Sequence, residues 1–381
     1  MSLTSKLPDV GTTIFTVMSR LAAEHGAINL SQGFPDFDPP PRLVELAAEY
    51  LRRGANQYAP MSGWPALRAA IAAKVKQLYG ATVSTEDEVT VTSGATEALF
   101  SAIQAVVQAG DEVILLEPAY DCYEPAVQLA GGRVVRVPLQ RPAFAVDWDR
   151  VRDALSPRTR LVVVNSPHNP SGAVFGPGDL ETLAALLADS DALVLSDEVY
   201  EHMVFDGQPH CSLLGHPELA SRSFVVSSFG KTYHATGWKV GYCVAPAALT
   251  AEFRKVHQFV QFAVATPLQA AIADFLEQCP AHHRDLPRFY QARRDRFCAL
   301  MSRTRFRLSP APGTYFQLAD YSAISDSPDV EFARQLTAEA GVAAIPVSVF
   351  SRGPDSGRLL RFCFAKDDAT LAAAAGRLAR I

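Results

Sequence analysis

The sequence predicts an α/β fold, and two observations carry that prediction. Segments typical of strands alternate with segments typical of helices over about 200 residues in the middle of the chain. The runs at residues 161–164 and 193–195 are apolar without polar alternation. Such runs are typical of strands buried on both faces of a mostly parallel sheet, so helices are expected to cover both faces.

The predicted elements follow in order along this middle section. Strands are predicted at residues 88–92, 112–117, 133–139, 161–164, 192–195, 224–227 and 240–245. Helices are predicted at residues 42–53, 64–78, 95–109, 121–130, 177–188 and 248–277. Gly54, Gly80 and Gly110 follow the first three of these helices, and glycine commonly ends helices.

The pattern of predicted helices and strands changes after about residue 280. A long polar helix at residues 286–303 precedes two strand candidates, at 313–318 and 342–347, with a helix at 330–340 between them. A further strand at 358–364 and a terminal helix complete a smaller α+β pattern. We therefore predict a large domain of residues 42–279 and a small domain formed by residues 1–41 and 280–381.

Composition excludes several classes of protein. The chain has 381 residues, of which 48% are hydrophobic and 20% charged, so it is neither disordered nor collagen-like. Its 35 basic and 40 acidic residues give a net charge of −5, which argues against a nucleic-acid binder with a broad basic face. The best candidate for a membrane span, at 259–273, is too short and contains Pro267.

The six cysteines give no sign of a metal or redox motif. None has the C-x-x-C spacing typical of zinc or thioredoxin-like sites, and most lie in apolar runs. They are interpreted as buried free thiols, which are typical of a reducing compartment. Residues 1–9 lack the apolar core of a signal peptide. We expect a cytoplasmic protein.

Polar side chains follow four of the predicted buried strands. Residues 93–96 (SGAT) open a helix, 165–172 read NSPHNPSG, 196–200 read SDEVY, and Lys231 follows the strand at 224–227. Each feature alone has a plain structural explanation: an N-cap turn, a loop, a solvated turn, an exposed loop lysine. In an open parallel sheet, however, ligands bind outside the carboxyl ends of the strands, so these side chains are expected to meet.

Together these groups match what pyridoxal phosphate requires. Its aldehyde needs a lysine amine for a Schiff base, and its pyridine nitrogen needs a carboxylate. Its phenolic oxygen needs neutral donors such as an amide or a tyrosine hydroxyl. Its phosphate needs a helix N-terminus, a hydroxyl and a cation. The sequence therefore predicts a site for this cofactor.

The motifs also resemble those of a known family. Residues 228–242 (SFGKTYHATGWKVGY) resemble the lysine signature of class I/II pyridoxal-phosphate aminotransferases. Residues 29–36 (NLSQGFPD), 165–172 and 196–200 resemble that family's other motifs, in the same order. The resemblance is strongest to the branch of bacterial methionine aminotransferases, kynurenine aminotransferase and glutamine transaminase K. It implies fold type I and a homodimer with active sites at the subunit interface.

The resemblance implies a role for each matching residue around the cofactor ring. Lys231 is the expected Schiff-base lysine, which also moves the proton between Cα of the substrate and C4′ of the cofactor. Asp197 is the expected partner of the pyridinium nitrogen. Asn169 and Tyr200 are the expected donors to the phenolic oxygen, and Tyr120 is expected to stack on the ring.

The resemblance also implies a phosphate site and a substrate site. The phosphate is expected to bind residues of two subunits. One subunit provides Ala95, Thr96, Ser228 and Lys239, and the neighbouring subunit provides Tyr58. Arg361 is expected to grip the substrate α-carboxylate, because its guanidinium forms a bidentate fork. The other expected substrate residues are Gly33, Phe15 and Asn169.

Four positions depart from the commoner family pattern. Lys239 stands where many aminotransferases have arginine, which keeps the charge but loses the fork. Ser171 and His168 vary the commoner Asn-Pro-Thr-Gly loop, and His168 is interpreted as a loop residue rather than a substrate contact. Gly230 replaces a common serine. None of the four changes the predicted reaction.

The predicted reaction is transamination by a ping-pong mechanism, from an amino acid to a 2-oxo acid. Methionine is the expected amino donor, and aromatic amino acids, glutamine or kynurenine are expected as further donors. A cysteine-conjugate or cystathionine β-lyase would use the same lysine and aspartate, and the sequence separates the two poorly. A cofactor-sensing regulator is a third class, disfavoured because only about forty residues precede the large domain and the net charge is negative.

Overall fold

The computed structural model describes residues 4–353 and 357–381. Twelve strands occur in this part of the chain: β1 (Ile28–Asn29), β2 (Val89–Thr92), β3 (Glu112–Glu117), β4 (Arg133–Pro138), β5 (Thr159–Asn165), β6 (Leu193–Asp197), β7 (Ser223–Ser228), β8 (Gly241–Val244), β9 (Phe316–Asp320), β10 (Val342–Ala343), β11 (Ile345–Pro346) and β12 (Leu359–Cys363).

Fourteen α-helices accompany them in the same residues. They are α1 (Ile14–Glu24), α2 (Pro41–Arg52), α3 (Pro65–Tyr79), α4 (Gly94–Val106), α5 (Tyr123–Leu129), α6 (Trp148–Ala154), α7 (Pro177–Leu187), α8 (Pro217–Ala220), α9 (Phe229–Thr232), α10 (Ala247–Val260), α11 (Thr266–Gln278), α12 (Ala281–Met301), α13 (Asp329–Gln335) and α14 (Asp368–Leu378). None of the helices in the described part of the chain has the length and apolarity needed to cross a bilayer.

Seven strands form the central sheet, in the order β2-β8-β7-β6-β5-β3-β4. The five strands from β4 to β7 run parallel to their neighbours, and only β8 is antiparallel to β7 and β2. The mostly parallel sheet confirms the predicted α/β class. It also brings the carboxyl ends of β5, β6 and β7 to one edge.

Alternate residues of β5 enter cores on opposite faces of this sheet. Val162 and Val164 pack into a core that includes Leu183 of α7. Leu161 and Val163 pack into a second core that includes Phe253 of α10. Both faces of the sheet are therefore covered by helices, which explains why the β5 sequence lacks polar alternation.

A third core joins the two ends of the chain. Met18 and Leu30 pack with Phe297 and Phe362 around the antiparallel sheet β11-β12-β9. Strand β1 pairs in parallel with β10, so the N-terminal segment is hydrogen-bonded to the C-terminal one. The division into domains at residues 42 and 280 stays a prediction.

The prediction of local structure was wrong for one helix and missed four others. The helix predicted at residues 248–277 is two helices, α10 and α11, separated by a turn in which Phe262 has φ 66°. The cause lies in Pro267, which has no N–H and is accepted at the start of α11 but not inside a continuous helix. Helices α1, α6, α8 and α9 were not predicted.

Candidate active site

A cavity of about 310 Å³ lies at the carboxyl ends of the central strands, where ligands bind in open α/β sheets. Its walls include twelve of the thirteen residues predicted for the site: Phe15, Gly33, Ala95, Thr96, Tyr120, Asn169, Asp197, Tyr200, Ser228, Lys231, Lys239 and Arg361. The fold thus brings together residues that are up to 346 positions apart in sequence, as the separation of Phe15 and Arg361 shows.

Tyr58 is the predicted residue that does not reach the cavity. Its side chain is 82% exposed, and its ring makes an edge-to-face contact with Phe262 at 5.3 Å. A tyrosine that serves a neighbouring subunit would stand outside its own cavity, so the position leaves the predicted role open.

Lys231 lies in the short helix α9, immediately after β7. Its amine donates to the Tyr315 hydroxyl, with an Nζ–Oη distance of 2.8 Å, and to the Gly33 carbonyl at 3.1 Å. Burial lowers the pKa of Lys231 to about 8. A substantial fraction of the amine is therefore neutral near pH 7–8, which is the form that acts as a nucleophile or base.

Asp197 is the last residue of β6 and is almost fully buried. Its carboxylate accepts from the Tyr123 hydroxyl at 2.7 Å and from the Val199 amide at 3.3 Å. Burial raises the pKa of Asp197 to about 6, because these neutral donors offset only part of the cost of removing the charge from water. A cationic group bound in the cavity would supply the missing compensation.

The loop after β5 orients Asn169. The Asn165 side chain donates to the Asp197 carbonyl at 2.8 Å and accepts from the Asn169 amide at 2.8 Å. The Asn169 side-chain oxygen accepts from Arg361 at 2.7 Å. Since guanidinium only donates, the Asn169 side-chain amine is the group that remains to donate to a ligand.

The turn between β2 and α4 forms an anion cradle. The first-turn N–H groups of a helix have no intrahelical acceptor and favour a negative charge. Gly94 has φ +72°, and a Cβ there would lie 3.1 Å from Nζ of Lys239. Gly241 packs closely against the other side of the turn, since a Cβ there would lie 2.9 Å from the Ala95 amide nitrogen. Only glycine fits these two positions, so the cradle is built tightly around the Lys239 amine.

Arg361 is 1% exposed and forms no ion pair with any described carboxylate. It donates to Asn169 and, at 3.1 Å, to the Ser31 carbonyl, while its Nε is buried without a partner in the described part of the chain. The guanidinium lies 3.8 Å over the Phe316 ring. A buried charge without a counterion is costly, and a planar carboxylate from a ligand would compensate it.

These observations test whether pyridoxal phosphate fits, and it does. Asp197, which lacks a cationic partner, matches the ring nitrogen, the neutral fraction of Lys231 matches the aldehyde, and the glycine-walled cradle at Lys239 matches the phosphate. The uncompensated Arg361 remains for the carboxylate of the substrate.

Several residues around the site were not predicted. Tyr315, Tyr123 and Asn165 each hold a predicted residue in place, and Gln32 and Phe316 are further parts of the cavity wall. Asn165 could have been found from its place at the end of the strand before the NSPHNPSG loop. Tyr315 and Tyr123 gave no such signal, because they lie 84 and 74 residues from their partners.

His168 lies outside the set of cavity-lining residues, although it is buried. Its Nε2 lies 2.9 Å from the Pro118 carbonyl and its Nδ1 2.6 Å from the Ser171 hydroxyl. A carbonyl only accepts, so Nε2 carries the proton and Nδ1 accepts from Ser171. Both ring nitrogens are engaged within the protein, which supports the interpretation of His168 as a loop residue.

The chain matches a family model and many known proteins over nearly its whole length. Residues 25–378 match the model described as aminotransferase class I and II. The chain is 55% identical to methionine aminotransferase of Escherichia coli over 99% of this chain and 98% of that protein. It is 38% identical to mouse kynurenine–oxoglutarate transaminase 1, over 94% of this chain and 93% of that protein.

Solved structures agree with the sequence matches. An E. coli crystal structure identified with a methionine aminotransferase function superposes with a TM-score of 0.98 at 54% identity, over 100% of each chain. The aspartate aminotransferase of Thermus thermophilus with maleate gives 0.91 at 32% identity, over 100% of this chain and 99% of that one. The chain belongs to the class I and II aminotransferases and is a pyridoxal-phosphate-dependent transaminase of amino acids.

Proposed function

We propose that the enzyme transfers the amino group of methionine to a 2-oxo acid and accepts aromatic amino acids, glutamine or kynurenine as slower donors. The observation that carries the proposal is the cavity wall itself. Arg361 is the one arginine among the described residues that line it, and it is assigned to the α-carboxylate. The ring of Phe15 and the ring of Phe316 face the same space.

An apolar wall of this kind suits a thioether better than a second carboxylate. Sulfur makes favourable contacts at the edges of aromatic rings, and an acidic side chain would need another cation to leave water. The identity to the E. coli methionine aminotransferase supports the same donor. Glutamine and kynurenine are polar without net side-chain charge, so they cost less to bury than aspartate.

In the proposed mechanism, bound pyridoxal phosphate supplies an electron sink that stabilises the charge left at Cα when its proton departs. Arg361 binds the substrate carboxylate and fixes the orientation of Cα. Lys231 removes the Cα proton and delivers it to C4′. Asp197 keeps the ring nitrogen protonated, and Asn169 and Tyr200 donate to the phenolic oxygen.

The phosphate is assigned to the cradle at the start of α4. Ala95 and Thr96 supply backbone N–H groups, Ser228 a hydroxyl and Lys239 a charge. Tyr120 is assigned to the face of the cofactor ring, which an aromatic side chain covers at little entropic cost. Together these contacts anchor the cofactor so that Lys231 meets its reactive carbon.

We further propose that the enzyme is a homodimer in the cytoplasm. Support for the dimer comes from the exposed apolar residues beside Tyr58, where Phe259 is 85%, Val260 47% and Phe262 46% exposed. Contiguous exposed apolar surface commonly marks an interface. Support for the reducing compartment comes from the cysteines, since all six are free.

The test is a half-reaction with methionine and no acceptor. Enzyme loaded with cofactor is mixed with methionine in a stopped-flow spectrometer, and the cofactor's visible absorption band is followed. The proposal expects the band to be lost and then restored by a 2-oxo acid. An unchanged band at high methionine concentration, or release of ammonia and a 2-oxo acid without an acceptor as the main reaction, would contradict it.

A further inference from the structure

We infer that Tyr315 is a positioning residue for the amine of Lys231, and that the Gly33 carbonyl completes the same bracket. The inference rests on the proposed role of Lys231 as the base. Tyr315 does not line the cavity, and its hydroxyl bonds the Lys231 amine and the Gly33 carbonyl behind the cavity wall. Its effect on the reaction would therefore pass through the lysine.

The three groups form a closed triangle of hydrogen bonds. The Lys231 amine lies 2.8 Å from the Tyr315 hydroxyl and 3.1 Å from the Gly33 carbonyl. The Tyr315 hydroxyl donates its own proton to the Gly33 carbonyl at 2.5 Å. Because that proton is committed, the phenol oxygen can only accept from the lysine.

This arrangement fixes the orientation of a neutral amine. A neutral amine has two N–H donors and one lone pair. With both donors engaged by Tyr315 and Gly33, the lone pair occupies the remaining tetrahedral position and cannot turn toward either oxygen. A base whose lone pair is held in one direction avoids the entropic cost of finding it during each proton transfer.

Burial and strand position keep the bracket rigid. Tyr315 is fully buried between the rings of Tyr200 and Phe316, at centroid distances of 5.2 and 4.9 Å. It directly precedes β9, and the next residue, Phe316, starts the pairing of that strand with β12. A Cβ at residue 33 would lie 2.8 Å from the Phe316 ring, so glycine there lets the carbonyl approach the tyrosine.

The decisive variant is Tyr315→Phe, which removes one oxygen and keeps the ring. The matched control is Tyr321→Phe, since Tyr321 is also fully buried and its hydroxyl also bonds a backbone carbonyl, that of Ser327 at 2.8 Å. Single turnovers with methionine and with Cα-deuterated methionine are compared in wild type and both variants.

We expect the Tyr315→Phe half-reaction to slow by roughly tenfold to a hundredfold, with an unchanged dissociation constant for methionine. The deuterium isotope effect should rise, because a poorly oriented base makes proton transfer more rate-limiting. Tyr321→Phe should match wild type in all three quantities. A merely structural role would weaken binding or lower stability and would leave the isotope effect unchanged.

A second readout uses the cofactor-free protein. The rate at which an amine-reactive acylating reagent modifies Lys231, read by peptide mass spectrometry against pH, reports its basicity and freedom. The inference expects a different profile in Tyr315→Phe and the wild-type profile in Tyr321→Phe. If wild type turns over methionine but Tyr315→Phe keeps its rate, isotope effect and labelling profile, the inference fails and the proposed function stands. If wild type does not react with methionine, the proposed function itself fails.

Discussion

Two buried lysines of this enzyme have opposite surroundings. Lys74 of α3 pairs with the carboxylate of Glu201 at 2.6 Å and also donates to the Tyr242 hydroxyl at 2.7 Å. Lys231 is held by two uncharged oxygens, those of Tyr315 and Gly33. The first lysine is compensated within the protein, whereas the second depends on what binds in the cavity.

Two buried carboxylates differ in the same way. Burial acts to raise the pKa of Glu201, but the Lys74 ammonium and hydrogen bonds hold that pKa well below its usual range. Asp197 accepts from neutral donors, and burial raises its pKa to about 6. The comparison indicates that a buried ion pair such as Lys74–Glu201 stabilises the fold. Uncompensated titratable groups that share a cavity, such as Lys231 and Asp197, indicate a functional site.

The largest expected effect comes from removing the uncompensated lysine. Lys231→Ala should slow the methionine half-reaction by roughly 10³-fold to 10⁴-fold, because proton transfer loses its base. Its thermal stability should stay near that of wild type, since no buried counterion is left behind. Stopped-flow absorbance and calorimetry check the two parts. Lys255→Ala, which removes an exposed lysine paired with Glu252, is the control. Full turnover by Lys231→Ala would refute the assignment of this lysine.

Removing Lys74, the lysine paired with a carboxylate, should lower stability and leave the reaction rate nearly unchanged. Lys74→Met should lower the free energy of unfolding by about 3–5 kcal/mol, because Glu201 would be left buried without its cation. The folded fraction should keep most of its methionine half-reaction rate. Chemical denaturation measures the loss, and Lys76→Met on the exposed side of the same helix should change it little. A Lys74→Met protein with wild-type stability would contradict the interpretation of this pair.

A smaller effect should appear in the pH dependence of the cofactor-free protein. The folded-state pKa of Asp197 is raised above the unfolded value, so the folded state binds the extra proton between about pH 4 and pH 6. The contribution of Asp197 to the free energy of unfolding is therefore present at about pH 4 and is lost as the pH rises through 6. The asparagine in Asp197→Asn cannot titrate, so the free energy of unfolding of this variant does not fall with pH for this reason.

The free energy of unfolding of Asp197→Asn, minus that of wild type, should thus increase by about 1–3 kcal/mol between pH 4 and pH 7. Denaturation curves at a series of pH values measure the difference. Asp149→Asn, which removes an exposed carboxylate paired with Arg152, is the matched control. A difference for Asp197→Asn that is flat or falls with pH would mean that the carboxylate is compensated after all.

The sequence was most informative where the chemistry is local. Lys231 and Asp197 each stand at or next to the end of an apolar strand, so the rule for open sheets was enough to bring them together. The lysine signature at residues 228–242 pointed to the same segment. The positions of the strands and the mostly parallel sheet followed from the apolar runs, although the order of the strands and the antiparallel direction of β8 did not.

The sequence was least informative where function depends on contacts across the chain. Arg361 was found only by family resemblance, since it lies 192 residues from Asn169, which it contacts. The bracket of Tyr315 and Gly33 around Lys231 joins three separate segments, and no local pattern marks it. The turn between α10 and α11 was also missed, although Pro267 was a visible reason to expect it.

Our inference is that this cavity accepts an apolar donor through one carboxylate-binding arginine, Arg361, and one lysine held by uncharged oxygens, Lys231. It is tested most directly by half-reaction rates for methionine, phenylalanine, kynurenine, glutamine and aspartate, measured on the same enzyme by loss of the cofactor's visible absorption. We expect methionine to react fastest and aspartate slowest. Aspartate reacting fastest would contradict it, because Arg361 is the sole arginine among the described residues of the cavity wall.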